Sequence, residues 1–236
     1  MDERMNTCLE EYLYGCLHDF LMRHAGGLLP NQVNLEQVRC ALDVACGSGE
    51  WILDMAWQYP QIQFVGLDTN PQRMSYARAV AKVRGVENVN FVVADMLCTQ
   101  LPAAHYDLVH GRLLSVLLRP STNWMLCAEL LRLCAPGGYV ILCELCSPRT
   151  NSAACTYWFD LLRLATQHAE CLTEEADHLP LLLKQAGCHS VDQISTLIDI
   201  SYATPAHTTL CTRVWDVMEY LKPLLLRQRV ISPSHL

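Results

Sequence analysis

Apolar residues along the chain change period several times, and the changes mark out elements. Over residues 7–25, Leu9, Tyr12, Leu13, Cys16, Leu17, Phe20 and Leu21 recur at helical spacing, so one amphipathic helix is expected, ended by Gly26-Gly27 and Pro30. Residues 39–45 are apolar without alternation, which suits a strand buried on both faces. Helix is expected over 50–58, then a strand over Gln63–Asp68. A second helix starts at Pro71, with Asn70 as its cap, and runs to Arg84-Gly85. Strands follow at 89–94, 106–110 and 138–144, with a helix over 123–134 between the last two.

Five strand–helix alternations predict an α/β fold: a mostly parallel, doubly wound sheet with helices on both faces. After Ser147 the texture changes. Helices are expected over 151–169 and 175–186, the latter capped by Gly187. A strand is expected over Val191–Tyr202, and helix again from Thr208 to about Arg229, broken or kinked at Pro223. The whole, 1–236, reads as one domain. It divides into a helical lid (1–30), a ligand-binding core (31–147), and a helical insertion, sixth strand and helical tail (148–236).

Composition narrows the class. With 17 basic and 24 acidic residues the net charge is −7, which argues against a nucleic-acid surface. No apolar run is long enough for a membrane span, and the amino terminus shows no signal peptide, so a cytoplasmic location is expected. The 13 cysteines are scattered through apolar runs and read as free, mostly buried thiols. Cys143 and Cys146 form a C-x-x-C without a second ligand pair, so no metal is expected.

The densest chemical signal is Leu42-Asp43-Val44-Ala45-Cys46-Gly47-Ser48-Gly49-Glu50-Trp51, between the first strand and its helix. Open α/β sheets bind ligands outside the carboxyl ends of their strands, and Gly47 and Gly49 permit a tight turn with close approach to the main chain. A dinucleotide fingerprint needs a third glycine where Ile52 stands. Asp43 beneath the turn would repel a pyrophosphate but hold an ammonium. Asp68 can accept both hydroxyls of a ribose. Asp95 can accept from an adenine amino group, with Met96 packing on the ring. Together these acids describe an adenosine with a positive, amino-acid-like tail.

Here a family resemblance enters. LDVACGSGEW (42–51), FVGLDTNPQRMSYA (64–77), FVVADML (91–97), YDLVHGRLL (106–114) and LLRLCAPGGYVILCEL (130–145) resemble, in order and spacing, the class I S-adenosylmethionine-dependent methyltransferases. The likeness covers residues 39–145 and is nearest to small-molecule enzymes of the ubiquinone/menaquinone-biosynthesis and LaeA-like kinds. It implies a Rossmann-like core. It also implies S-adenosylmethionine as cofactor, with S-adenosylhomocysteine as product, held by Asp43, Ala45, Gly47, Gly49, Asp68, Thr69, Asp95, Met96 and His110. Ala45 stands where the family commonly has its first glycine. Val191–Tyr202 would be the family's sixth strand. No seventh is evident, so either helix replaces it or the chain is a shortened form.

The expected activity is in-line SN2 transfer of a methyl group to a small, apolar or aromatic acceptor, and a homodimer is left open. His110, after the fourth strand, is the candidate base, because an imidazole titrates near neutrality. Arg112 is expected to anchor the fold through a carboxylate, in a family-type turn with Gly111. Glu129 and Arg132 read as a surface pair of small worth. Trp51, Trp57 and Trp124 read as packing residues, and one of Tyr157, Trp158 and Phe159 as pocket-lining. Tyr12 and Tyr14 could close over the cofactor or pack in the core. Two other readings stand beside this one: a protein that binds the cofactor without turnover, and an NAD-dependent oxidoreductase.

Overall fold

The computed structural model describes residues 15, 18–30, 33–114, 122–144, 149–153, 155–157, 160, 179–209, 222–223 and 226. A helix, α1, covers 18–24. The core then alternates β1 (Cys40–Val44), α2 (Glu50–Gln58), β2 (Gln63–Asp68), α3 (Pro71–Arg84), β3 (Val89–Val93), β4 (Tyr106–Arg112), α4 (Asn123–Leu133) and β5 (Cys134–Cys143), and α5 (Leu179–Gln185) follows. The strands form one parallel sheet in the order β3-β2-β1-β4-β5. The chain winds outward from β1 in both directions, so the Rossmann-like α/β expectation holds and the switch point lies between β1 and β4.

Strand alternation divides the core. Ala41, Phe64, Phe91 and Leu108 pack under Trp51, Ile52 and Met55 of α2 and Met74 and Ala77 of α3. Leu42, Val44, Leu67 and Val109 face Leu126, Leu130 and Leu133 of α4. A strand buried this way cannot alternate polar with apolar, which is why residues 39–45 read as one apolar run. Side chains pin the ends of elements. Asn70 Oδ1 accepts from the amides of Gln72 (2.9 Å) and Arg73 (3.2 Å), capping α3 ahead of Pro71. Asp107 Oδ2 accepts from the amides of Arg39 (2.8 Å) and Cys40 (3.0 Å), anchoring the start of β1.

Several expectations shift. β4 runs on through Gly111 and Arg112, which pair with Leu142 and Cys143, so the turn comes at Leu113 instead. β5 begins four residues before Gly138. The Ala-Pro-Gly-Gly stretch looks like a turn by composition, but it is absorbed as a bulge between the Tyr106↔Cys134 and Leu108↔Tyr139 pairs. The sixth strand over Val191–Tyr202 is not formed. Residues 191–200 have no regular structure, and Leu197 is 92% exposed. An apolar run becomes a strand only with a partner ladder, and among the described residues nothing pairs with this one.

Helix resumes at 205, three residues before the expected Thr208. α5 lies inside the expected 175–186 helix, and Gly187 follows it with φ 109°. Of the expected 151–169 helix, residues 153, 155–157 and 160 are helical, and Tyr157 is exposed. Trp158, Phe159, Tyr12, Tyr14, Cys146 and most of the tail fall outside the described residues.

Trp51 is buried, but Trp57 is 69% and Trp124 48% exposed. The buried stripe of α4 is Asn123, Leu126, Cys127, Leu130 and Leu133, and Trp124 stands one residue off it. Cysteines enter the core as small apolar groups. Cys46 and Cys127 are buried and Cys40, Cys134, Cys143 and Cys188 half-buried, while Cys98 and Cys155 are exposed. Among the described residues no helix is long and apolar enough to cross a membrane.

Candidate cofactor site at the switch point

Ala45, the residue after β1, takes φ 54°, a left-handed conformation unusual for a residue with a Cβ. Gly47 (φ 58°) and Gly49 (φ 89°) follow. The two glycines do different work. A Cβ on Gly49 would lie 3.2 Å from the Phe91 ring and 3.3 Å from Ala77 Cβ, so Gly49 lets α2 settle on the sheet. A Cβ on Gly47 would project into open space, so only its φ and the ligand side call for glycine there. Between them Ser48 is buried, and its Oγ has no hydrogen-bond partner. Buried hydroxyls are normally satisfied, so this one marks a place where a polar ligand atom fits.

Asp68 staples the turn. Its Oδ2 accepts from the Gly47 amide at 3.1 Å and its Oδ1 from the Asn70 amide at 2.8 Å. An ionised carboxylate has about four acceptor sites, so both oxygens keep capacity for a ligand hydroxyl. Thr69 is exposed beside it. At the end of β3, Asp95 is exposed, its Oδ1 accepting from the Leu97 amide at 2.9 Å, and Met96 packs half-buried against the α4 side of the core.

Asp43 and His110 are register partners on β1 and β4. Both are buried, with His110 only 2% exposed, and His110 Nδ1 lies 2.8 Å from Asp43 Oδ1. Because a carboxylate only accepts, Nδ1 carries the hydrogen. The imidazole also stacks on Trp51, centroids 3.5 Å apart and planes 7° from parallel. Burial pushes the His110 pKa below its ordinary value; the Asp43 bond opposes this and the Arg112 charge reinforces it. The turn itself is electronegative: burial first, then Asp43, Asp68 and Glu50, hold the Cys46 thiol well above the ordinary range. That field favours a cationic ligand and disfavours a pyrophosphate. Ile52 is fully buried, so the place of the third dinucleotide glycine is core.

All nine candidate residues therefore lie at the carboxyl ends of β1, β2, β3 and β4, four neighbours in the sheet. Five others were missed or misread. Trp51 is a packing residue, as expected, but its partner is an imidazole, and its indole N–H donates to Leu28 O at 2.8 Å. Ser48 gave no signal beyond its place in the turn. Arg112 Nη1 meets His18 Nδ1 at 3.1 Å rather than a carboxylate. Glu129 and Arg132 are more than a surface pair. Glu129 Oε1 accepts from the Thr99 amide (3.0 Å) and hydroxyl (2.6 Å) and from Arg132 Nη2 (2.8 Å), and Arg132 reaches Leu101 O at 3.1 Å. Together they tie the segment after Asp95 to α4.

Residues 41–138 match a family model described as a methyltransferase domain. The chain is similar to the N-methyltransferase verN of Clonostachys rogersoniana, 29% identical over 64% of this chain and 52% of that protein. It is also similar to the trans-aconitate 2-methyltransferase of Methylobacterium radiotolerans, 33% identical over 53% of this chain and 45% of that one. The chain thus spans about half the length of the curated relatives it matches. Among solved structures, the S-adenosylmethionine-dependent methyltransferase SibL in its apo form gives a TM-score of 0.55 at 20% identity, covering 71% of this chain and 49% of that one, a likeness of fold.

Proposed function

We propose that the chain, whose residues 41–138 match a methyltransferase-domain model, is a class I, S-adenosylmethionine-dependent methyltransferase that acts on a small, apolar or aromatic molecule. The observation that carries this reading is the glycine turn, open at Gly47, stapled by Asp68 and ringed by carboxylates. When bound, the cofactor supplies a methyl group on a sulfonium, already activated for in-line displacement. The protein's own part is then alignment and exclusion of water.

In this assignment Asp68 accepts the ribose hydroxyls, Asp95 the adenine amino group, and Met96 lies on the ring. Thr69 borders the ribose, and Ala45, Gly47 and Gly49 let the main chain approach. Asp43 sets the negative potential for the ammonium. His110 holds Asp43 in place through Nδ1 and leaves Nε2 as the nitrogen able to take a proton. We place the protein in the cytoplasm, with a small-molecule acceptor rather than a nucleic acid as its partner, in keeping with a net charge of −7.

Calorimetric titration with S-adenosylhomocysteine, on the wild type and on Asp68→Ala, tests the reading. One-to-one binding weakened at least about tenfold in the variant supports it, since a hydrogen bond to a charged group is worth roughly 1.5–3 kcal/mol. A folded wild type that binds nothing refutes it. A second reading, cofactor binding without turnover, is favoured by the burial of His110. Tight binding with no transfer across a panel of phenols, amines and carboxylic acids would select it.

A further inference from the structure

Arg112 closes β4 at a particular place in the sheet. The ladder between β1 and β4 ends at Val44↔Gly111, because the chain leaves β1 at Ala45, while the ladder between β4 and β5 runs on to Arg112↔Cys143. Arg112 therefore stands one residue past the last β1 partner, at the switch point itself. It follows His110 by two residues, so both side chains leave the sheet on the same face. Burial sets the main pKa shift at His110, downward, and at Cys143, upward, and the Arg112 charge acts to lower both.

The guanidinium is half-buried and has no counter-ion among the described residues. Arg84 ends on Asp54 and Arg132 on Glu129, each at 2.7 Å. Arg112 instead meets an imidazole, its Nη1 donating to His18 Nδ1 at 3.1 Å. An imidazole nitrogen that accepts carries no hydrogen, so this partner is uncharged. Two carboxylates at the same strand ends face other groups: Asp43 meets His110 Nδ1, and Glu144 accepts from the Leu114 amide at 2.8 Å. Cations withdrawn from water are normally paired, and the chain has acids to spare, 24 against 17 basic residues. A fork of N–H donors left with one neutral partner matches a planar carboxylate from outside the protein, held through two parallel bonds.

We propose that Arg112 is a specificity residue that receives the carboxylate of the acceptor, a small apolar or aromatic carboxylic acid. The assignment rests on the methyltransferase reading and narrows its acceptor class. The cofactor's own carboxylate is the other source of the same chemistry. The glycine turn has a donor of its own for that group, the buried and unpartnered Ser48 hydroxyl, whereas Arg112 stands on the neighbouring strand beyond His110.

Ligand-observed NMR titration of the full chain with para-hydroxybenzoate and with para-hydroxybenzamide tests this, at about pH 7.5, where the acid is ionised, with and without saturating S-adenosylhomocysteine. The wild type is expected to bind the acid about tenfold more tightly than the amide, the worth of hydrogen bonds to a charged group. Arg112→Gln brings the two to parity. Arg112→Lys, which keeps the charge and loses the fork, retains part of the preference and serves if the first variant does not fold. A residue that only anchored His18 would, when replaced, weaken acid and amide alike and leave their ratio unchanged; that result overturns the proposal. So does a wild type that takes the acid no better than the amide, or takes neither.

Titration of the same proteins with S-adenosylhomocysteine and with its decarboxylated analogue separates the sources. If Arg112→Gln weakens S-adenosylhomocysteine about tenfold and leaves the analogue unaffected, the carboxylate on Arg112 is the cofactor's and the acceptor assignment is overturned. If S-adenosylhomocysteine does not bind while the preference for the acid stands, the carboxylate site is upheld and the methyltransferase reading fails. If it binds and the preference is absent, only the assignment of Arg112 fails.

Discussion

The imidazole of His110 lies flat on the indole of Trp51, 3.5 Å between centroids, while its Nδ1–H points at Asp43. One residue thus fixes the plane of the ring and the other fixes its rotation. Trp51 is itself held by Leu28 O, so the setting of a side chain deep in the sheet depends on a segment that precedes the core in sequence.

Trp51 separates shape from polarity. Trp51→Phe keeps an aromatic face on His110 and loses the bond to Leu28, for a destabilisation of about 1–2 kcal/mol. Trp51→Ala leaves a cavity beside a buried imidazole and costs about 3–5 kcal/mol. Urea denaturation of the two variants measures both, and equal losses would mean that the Leu28 bond alone matters.

The depressed pKa of His110 has a definite consequence for stability. The unfolded chain takes up a proton near 6.5, and the folded chain does so only at lower pH. Stability is therefore full above the unfolded value and declines as pH falls from there through the folded value. His110→Gln removes this part of the pH dependence. Denaturation midpoints of both proteins across the acid range show it as a gap that changes below pH 6.5. A parallel pair of curves contradicts it.

Glu129 titrates lower still. Its bonds to Arg132, and then to Thr99, bring its pKa to about 2 from 4.5. Its contribution is present above 4.5 and disappears as pH falls toward about 2. Arg132 is partly exposed, so solvent screening limits the effect, and Glu129→Gln is expected to cost about 1–2 kcal/mol at neutral pH. The gap between the two proteins should close in acid, as followed by circular dichroism melts.

The backbone of the turn offers a contrast. Ala45 sits at φ 54°, where an L-residue is strained by roughly 1–2 kcal/mol, and glycine's extra chain entropy returns about 0.5–1 of that. Ala45→Gly should thus stabilise by up to about 1 kcal/mol. Gly47→Ala introduces the same strain and points a methyl into the open cradle, so S-adenosylhomocysteine affinity should fall further than stability does. Calorimetry beside thermal melts separates the two.

The core was legible because each of its elements announces itself locally. Asn70-Pro71 fixes the start of α3, and apolar runs bounded by turn residues fix β1 and β2, all matching the structure. The acids at the strand ends were legible for the same reason, since topology alone places Asp43, Asp68 and Asp95 on one edge. What was not legible is long-range. Nothing near His18 in sequence points to Arg112, 94 residues away. Nothing near Trp51 points to His110, and Asp68 as the staple of Gly47 follows only from two strands lying side by side. The expected strand at Val191–Tyr202 failed for the converse reason: its residues favour a strand, but no neighbouring ladder exists among the described residues.

Among the described cysteines, burial sets apart two reactivity tiers. Burial raises the pKa of Cys127 and of Cys134 to about 11, and that of Cys46 well above the ordinary range. Alkylating agents and peroxide attack the thiolate, which these residues scarcely form at neutral pH. Cys98 and Cys155 stand in water. Among the described cysteines, an oxidant or alkylating label of short duration would therefore mark those two first and leave the core thiols until the fold opens, so the order in which they are modified becomes a clock for unfolding. Cys46 keeps that clock at the glycine turn itself: its modification would report the moment at which Asp68, Gly47 and the sheet beneath them separate.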